Sequence, residues 1–194
     1  MSVIVFDIEA TGMSPNQICQ LSYLIVDAGK ITGKNMYFTV DAMSPGAQAV
    51  HGLSLEMLEE LSLGARFADR AQEIYRDFSR AAILVGHNVA CDVRYLKGEF
   101  ERLGLTLENV KTFCTMNHFT RDTALTRKMA AGGFKPPKLC ELAGFFQLSE
   151  EFIARKSEAY FGGGAAAHDA RFDATATYLC LAEGVRRGRV QGVL

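Results

Sequence analysis

The sequence predicts an α/β fold: a five-stranded mixed sheet, an antiparallel meander joined to parallel strands, with helices on both faces. Three observations predict it. The first forty residues hold three apolar, β-branched runs separated by short polar turns, the pattern of a meander. Beyond them, apolar runs of strand length alternate with stretches of helical period, which places parallel strands beside the meander. The 194 residues suit one domain, 1–194, with a substantial core.

The elements follow in order. Val3-Ile4-Val5-Phe6 opens a buried strand that runs into Asp7-Ile8-Glu9-Ala10-Thr11-Gly12. Gln20 to Asp27 is the second strand, Asp27-Ala28-Gly29-Lys30 a turn, and Ile31 to Val40 the third. Ser44-Pro45-Gly46 reads as a break. Ser54 caps a short helix with Glu56 and Glu59 in its first turns. Phe67 to Arg80 is helical, and Ile83-Leu84-Val85 is a buried strand ending at Gly86-His87-Asn88. Val89, Val93, Leu96, Phe100 and Leu103 recur at helical spacing until Gly104. Val110 to Met116 is the fifth strand, and Thr120 to Pro137 is a polar, basic loop or irregular helix. Lys138 to Gln147 and Glu150 to Tyr160 are helical. Gly162-Gly163-Gly164 is a flexible break, and a last helix begins near Asp169 with Phe172, Ala176 and Leu179 on one face.

Composition narrows the function classes. Hydrophobic residues are 48% and charged residues 22%, ordinary for a soluble globular protein. No stretch reaches the length of a membrane span, and Asp7 interrupts the N-terminal run too early for a signal peptide. The five cysteines, Cys19, Cys91, Cys114, Cys140 and Cys180, have neither disulfide nor zinc-site spacing, which suits reduced thiols in the cytoplasm. A net charge of -1 excludes a strong basic field, so any nucleic acid is gripped locally.

The chemistry resides in the acids. In a strand, residues i and i+2 share a face, so Asp7 and Glu9 project side by side. Two carboxylates 4 Å apart repel by roughly 1 kcal/mol in water and about 4 kcal/mol at an effective dielectric of 20. Such a pair calls for a cation between them or a shared proton. Asp92 lies in the first turn of the helix after the fourth strand, at the edge of its buried face, and Asp173 beside Phe172 in the last helix. His168 precedes Asp173 by five residues, about 140° past one full helical turn, so it shares a site with Asp173 only from the loop or helix entrance.

Phe6-Asp7-Ile8-Glu9-Ala10-Thr11-Gly12 resembles the first exonuclease motif of the DEDDh, or DnaQ-like, 3′–5′ exonucleases. Gly86-His87-Asn88-x-x-x-Asp92 is similar to the second motif, and His168-x-x-x-x-Asp173 to the third, whose His names the subclass. Val50-His51-Gly52 resembles a His-Gly step between the first two motifs. The resemblance runs in order from residue 3 to residue 181. One departure stands out: the residue before the second-motif acid is often Phe in the family, and here it is Cys91, which bears on one stacking contact to the substrate sugar or base and not on the metal site. Polymerase-associated members carry a long tail after this domain. A polymerase is therefore a conceivable partner, but the chain ends at Leu194 with no such attachment evident.

The resemblance implies an RNase H-like fold and two divalent ions, Mg²⁺ or Mn²⁺, held by Asp7, Glu9, Asp92 and Asp173. Hard oxygen donors agree with those ions. It implies that Asp7 bridges both ions, that Glu9 and Asp173 serve the one binding the attacking water, and that Asp92 serves the one near the leaving 3′ oxygen. It makes His168 the general base; imidazoles titrate near neutral pH. Without the resemblance, His168 reads as a surface-loop histidine. Ala10, Thr11, Gly12, Val50, His51 and Asn88 would line the terminal-nucleotide site, although His51 also fits a buried turn. Arg127, Lys128, Lys135 and Lys138 either grip upstream phosphates or form a solvated basic loop. The expected activity is release of nucleoside 5′-monophosphates from 3′ ends of single-stranded or frayed DNA. An exoribonuclease with the same chemistry, a non-catalytic nucleic-acid-binding module and a small-molecule phosphodiesterase are the alternatives.

Overall fold

Side-chain alternation along the first strand sorts the computed structural model, which describes residues 2–13, 16–108, 110–126 and 132–194, into two layers about one sheet. The strands are β1 (Val3–Ala10), β2 (Ile18–Asp27), β3 (Lys30–Tyr37), β4 (Ile83–Gly86) and β5 (Thr112–Cys114). Their order is β3-β2-β1-β4-β5. β1 pairs antiparallel with β2, and β2 with β3; β1 with β4 and β4 with β5 are parallel. This is the expected α/β mixed sheet.

The helices among the described residues are α1 (Pro45–His51), α2 (Leu55–Ser62), α3 (Phe67–Arg80), α4 (Val89–Arg102), α5 (Thr115–His118), α6 (Thr120–Thr123), α7 (Leu139–Phe145), α8 (Glu150–Phe161) and α9 (Ala170–Arg186). On one face of the sheet Ile4, Phe6, Leu21, Tyr23 and Leu84 pack against Ile74 and Phe78 of α3 and Leu96 and Phe100 of α4. On the other, Val3, Val5, Leu24 and Val85 meet Leu142 of α7, Ile153 of α8 and Phe172, Ala176 and Leu179 of α9. Each fully buried large side chain contributes about 1.5–3 kcal/mol. None of the described helices is long and apolar enough to cross a membrane.

Several boundaries differ from the expectation. Ser44-Pro45-Gly46 starts a helix instead of breaking the chain: Ser44 caps α1 by accepting the Ala47 N–H, and Pro45 occupies the first turn, where a missing N–H costs nothing. β3 ends at Tyr37, three residues before Val40, although the Phe38 N–H still donates to the Cys19 carbonyl. The fifth strand is cut to three residues because Thr115 begins α5. Leu103 sits exposed past the end of α4, outside the buried stripe. Thr120 to Pro137 contains the single turn α6 and a bridge from Thr126 to Phe134.

The sheet also sets where chemistry can occur. β4 pairs with β1 only as far as Val5–Val85, so Asp7 and Glu9 extend past the end of β4. They continue the odd-numbered row of Val3 and Val5, which faces α9. A register shift between Glu9 and Ala10 marks the strand end, the kind of irregularity that re-aims a side chain beside a site.

β3 is held from outside by α8. A Cβ added at Gly33 would lie 2.3 Å from the Tyr160 carbonyl oxygen, a backbone atom with no freedom to retreat. Gly33→Ala is therefore expected to destabilise the protein by about 1–3 kcal/mol, seen as a lower denaturant midpoint. An unchanged midpoint would mean that α8 does not press on this strand.

Candidate active site

Three acids converge where β1 meets the start of α9. Carboxylate oxygens of Asp7, Glu9 and Asp173 all lie within 4.8 Å of one another. Asp92, in the first turn of α4, lines a common cavity with Glu9 and adds its charge to the field on Asp7. Asp92 is buried, and its Oδ2 has no hydrogen-bond partner. None of the four acids forms an ion pair among the described residues.

The electrostatics follow from that crowding. Burial raises the Asp7 carboxyl well above its usual range, and the charges of Asp92, Asp173 and Glu9 add to the effect. Glu9 is pushed up to about 8 by burial first, then by Asp173, Asp169 and Asp92. Burial takes Asp92 to about 7. Asp173 rises to about 6 through burial, held back by the charge of His168 and by its backbone N–H. Buried acids in mutual repulsion, with an orphaned carboxylate oxygen among them, fit hard divalent cations. The donor set is all oxygen, which excludes the sites that soft thiolate metals prefer.

His168 lies in an exposed turn directly before Asp169, the N-cap of α9. Its φ of 66° holds it in the left-handed region, and Gly162-Gly163-Gly164 precedes it by a few residues. The structure thus places it at the helix entrance, off the helix that carries Asp173.

Beside Glu9 and Asp92 opens a cavity of about 270 Å³, lined also by Ala10, Gly12, Met13, Val50, His51, Cys91 and Tyr95. Four of the six residues expected at the terminal-nucleotide site, Ala10, Gly12, Val50 and His51, reach it. Thr11 and Asn88 do not. Thr11 is fully buried and closes the turn instead: its N–H donates to the Gln17 carbonyl, and its hydroxyl accepts the Gln17 N–H at 3.0 Å. Asn88 is exposed in the left-handed conformation at the N-cap of α4. Gly12 has a φ of 121°, and a Cβ there would lie 2.5 Å from the Ser44 hydroxyl, so only glycine fits between the turn and the cap of α1. The Tyr95 hydroxyl donates to the Gly12 carbonyl at 3.1 Å and fixes the turn from the α4 side.

His51 sits half-buried in the last turn of α1. Its Nδ1 accepts the Leu53 N–H, so the ring proton is on Nε2, which is buried without a normal hydrogen bond. Burial lowers its pKa, and the nearby Ala10 carbonyl offsets part of that. In the basic segment, Lys135 is already paired with Glu141 at 2.7 Å, while Lys138 is exposed. Arg127 and Lys128 lie outside the described residues.

Sequence reasoning missed Gln20, Asp169 and Arg171. Gln20 is 1% exposed on β2, directly across from Glu9. Asp169 adds its charge to the field on Asp7 and Glu9, yet its own pKa is lowered by Arg171 and Gln20 despite burial. An Asp just before a helix is a legible N-cap signal. Gln20 left only the faint signal of an amide in an apolar strand.

Comparison with known proteins agrees with this geometry. A protein-family model described as Exonuclease (RNase_T) matches residues 4–181. The DNA polymerase III subunit epsilon of Escherichia coli (strain K12) is 32% identical over 139 residues, 66% of this chain and 54% of that protein. The 3'-5' exonuclease DinG of Bacillus subtilis (strain 168) is 26% identical over 153 residues, 76% of this chain and 15% of that one. A PolC-type DNA polymerase III of Caldanaerobacter subterraneus subsp. tengcongensis is 28% identical over 156 residues, 75% of this chain and 10% of the polymerase. The chain therefore spans about half the length of the epsilon subunit and much less of the other two.

Proposed function

The chain belongs to the exonuclease family whose model spans residues 4–181, and from that premise we propose that it is a metal-dependent 3′–5′ exonuclease acting on the 3′ ends of single-stranded or frayed DNA. The observation that carries the reading is the cluster of Asp7, Glu9 and Asp173 within 4.8 Å, with the buried Asp92 beside it offering an Oδ2 that has no partner. The names borne by two relatives, a DNA polymerase III subunit and a 3'-5' exonuclease, favour DNA over RNA and this polarity. They also make a DNA polymerase the first partner to test. A cytoplasmic location agrees with that substrate.

Asp7, Glu9, Asp92 and Asp173 would hold two divalent ions, Mg²⁺ or Mn²⁺. When bound, such ions supply Lewis-acid stabilisation of the charge that builds on the phosphoryl oxygens. The cavity beside Glu9 and Asp92 takes the terminal nucleoside, with Ala10 and Gly12 against the sugar and Val50 and His51 against the base. His168 accepts a proton from the attacking water, and its exposed turn gives it room to approach once substrate is seated. The charge on Asp173 stabilises the imidazolium that results. The water oxygen bonds to phosphorus as the bond to the 3′ oxygen breaks, that oxygen takes up a proton, and a nucleoside 5′-monophosphate is released.

The test supplies 5′-labelled single-stranded DNA, duplex DNA with a 3′ mismatch, and RNA, each with Mg²⁺ or Mn²⁺. A ladder shortening from the 3′ end, with mononucleotide product and full loss in EDTA, is expected on the DNA substrates. Faster trimming of RNA would move the assignment to an exoribonuclease. Binding without nucleotide release would replace it with a binding module. His168→Gln is expected to lower kcat by about 10²–10⁴-fold, with the melting temperature and Mn²⁺ affinity unchanged. A kcat within a few-fold of wild type would remove His168 from the role of base.

A further inference from the structure

α9 carries Asp173 and follows His168, yet it begins 150 residues after Gln20 of the strand against which it must be set. Its body packs through Phe172, Ala176 and Leu179, and two polar contacts act at its start. Gln20, buried on β2 across from Glu9, donates through Nε2 to Asp169 Oδ1 at 3.0 Å and to Asn35 Oδ1 at 3.0 Å. Its Oε1 accepts the Ala170 N–H, a free donor at the helix start, at 3.3 Å. All three of its hydrogen-bonding groups are used, and two of them grip the first residues of α9. The amide is the side chain that fits: a carboxylate could accept from Ala170 but would confront the Asp169 carboxylate and stand across from Glu9.

The second contact works on the loop. Asp169 accepts from the Arg171 N–H at 2.9 Å, from Arg171 Nε at 3.0 Å and from its Nη2 at 2.6 Å, a bidentate pair that holds the guanidinium still. The same guanidinium donates to the carbonyls of Gly164 at 3.0 Å and Gly162 at 3.4 Å. The glycine segment leading to His168 is thereby tied to the helix that leads to Asp173.

We infer that Gln20 and Arg171 are positioning residues: Gln20 sets the start of α9, and so Asp173, against Glu9, while Arg171 sets the loop that presents His168. The inference rests on the exonuclease reading for what is positioned, and on the contacts alone for how. It separates two effects. Loss of Gln20 acts on the acid cluster, so metal binding suffers; loss of Arg171 acts on the loop, so turnover suffers with metal binding intact. Neither residue reaches the terminal-nucleotide cavity, so substrate KM is spared in both.

The experiment uses Gln20→Met, which keeps the volume, and Arg171→Ala, with Mn²⁺ binding measured by calorimetry and turnover on single-stranded DNA at saturating Mn²⁺. Gln20→Met is expected to weaken Mn²⁺ binding about tenfold, in the range that supporting shells of metal sites command. Arg171→Ala is expected to lower kcat about tenfold through misplacement of His168, with Mn²⁺ affinity and KM within about twofold of wild type. Both variants binding and turning over at wild-type values per folded molecule, with only a lower melting temperature, would overturn the inference by reducing both residues to structural props. Should Gln20→Met fail to fold, Arg171→Ala decides alone by its kcat-against-KM split. Should the wild type cleave no nucleic acid, the exonuclease reading falls, while an Mn²⁺ affinity lowered in Gln20→Met still upholds the positioning of Asp173.

Discussion

Asp7→Asn is expected to abolish hydrolysis and, in EDTA, to make the protein more stable. Asp7 sits among Glu9, Asp92 and Asp173, and its carboxyl is raised by burial and by all three of their charges. The amide keeps the shape of the side chain and removes both the charge and its repulsion. The metal-free melting temperature should therefore rise by several degrees at pH 8, where the remaining acids are most ionised. Catalysis should move the other way. Asp7 is the acid on which the other three converge, and removing a preorganised electrostatic group costs about 10²–10³-fold even where it is a single hydrogen-bond donor. A loss of about 10³-fold or more on single-stranded DNA is expected, with the circular dichroism spectrum unchanged. A variant that is destabilised in EDTA, or that retains a tenth of the activity, would mean that Asp7 is a structural acid.

That opposition of stability and function explains why the centre of the site was readable and its supports were not. Asp7 and Glu9 are visible because a strand has a two-residue period and because paired carboxylates at an apolar strand end lack a structural reason. Asp92 and Asp173 taken singly are only neighbours of apolar stripes; their resemblance to the second and third motifs singles them out, and the fold brings β1, α4 and α9 together around them. The meander and the two parallel strands were legible for the same reason, each being a periodic pattern of its own. Local chemistry misled where it had two meanings. Ser44-Pro45-Gly46 contains two residues that break helices internally, but Pro after a capping Ser starts one, and so His51 came to lie on α1. Thr11 and Asn88 follow motif positions faithfully, yet backbone geometry turns one into a buried brace and the other outward. Gln20 showed no more than an amide in an apolar strand, since its meaning lies in contacts 149 and 150 residues away.

The second large effect is a metal-induced stabilisation that grows with pH. Unfolded carboxylates titrate near about 4. In the folded protein Asp173, Asp92 and Glu9 titrate at about 6, 7 and 8. Between these limits the folded state holds more protons than the unfolded one, so metal-free stability must fall as pH rises. Two groups oppose this: burial lowers the pKa of His51 and His87, which favours folding as pH rises toward about 6.5 and then stops. The decline is therefore clearest between about pH 6.5 and 8, where the carboxylates dominate; the buried thiols of Cys19 and Cys180, pushed up to about 12, add to it only toward the upper end. The lowered acids Asp169, Asp41, Glu56, Glu141 and Glu183 act below about pH 4 and leave this window untouched. Cation binding requires the deprotonated acids, so it reverses the trend. At a hundredfold excess over Kd, Mn²⁺ adds about 2.7 kcal/mol, which for a chain of this length raises the melting temperature by about 5–10 °C. Thermal scans in EDTA and in Mn²⁺ should thus nearly coincide at pH 5.5 and separate progressively toward pH 8. In Asp7→Asn the EDTA curve should flatten and the separation shrink, because the same charge drives both. Parallel curves with a constant offset would assign the Mn²⁺ effect to a site other than these four acids.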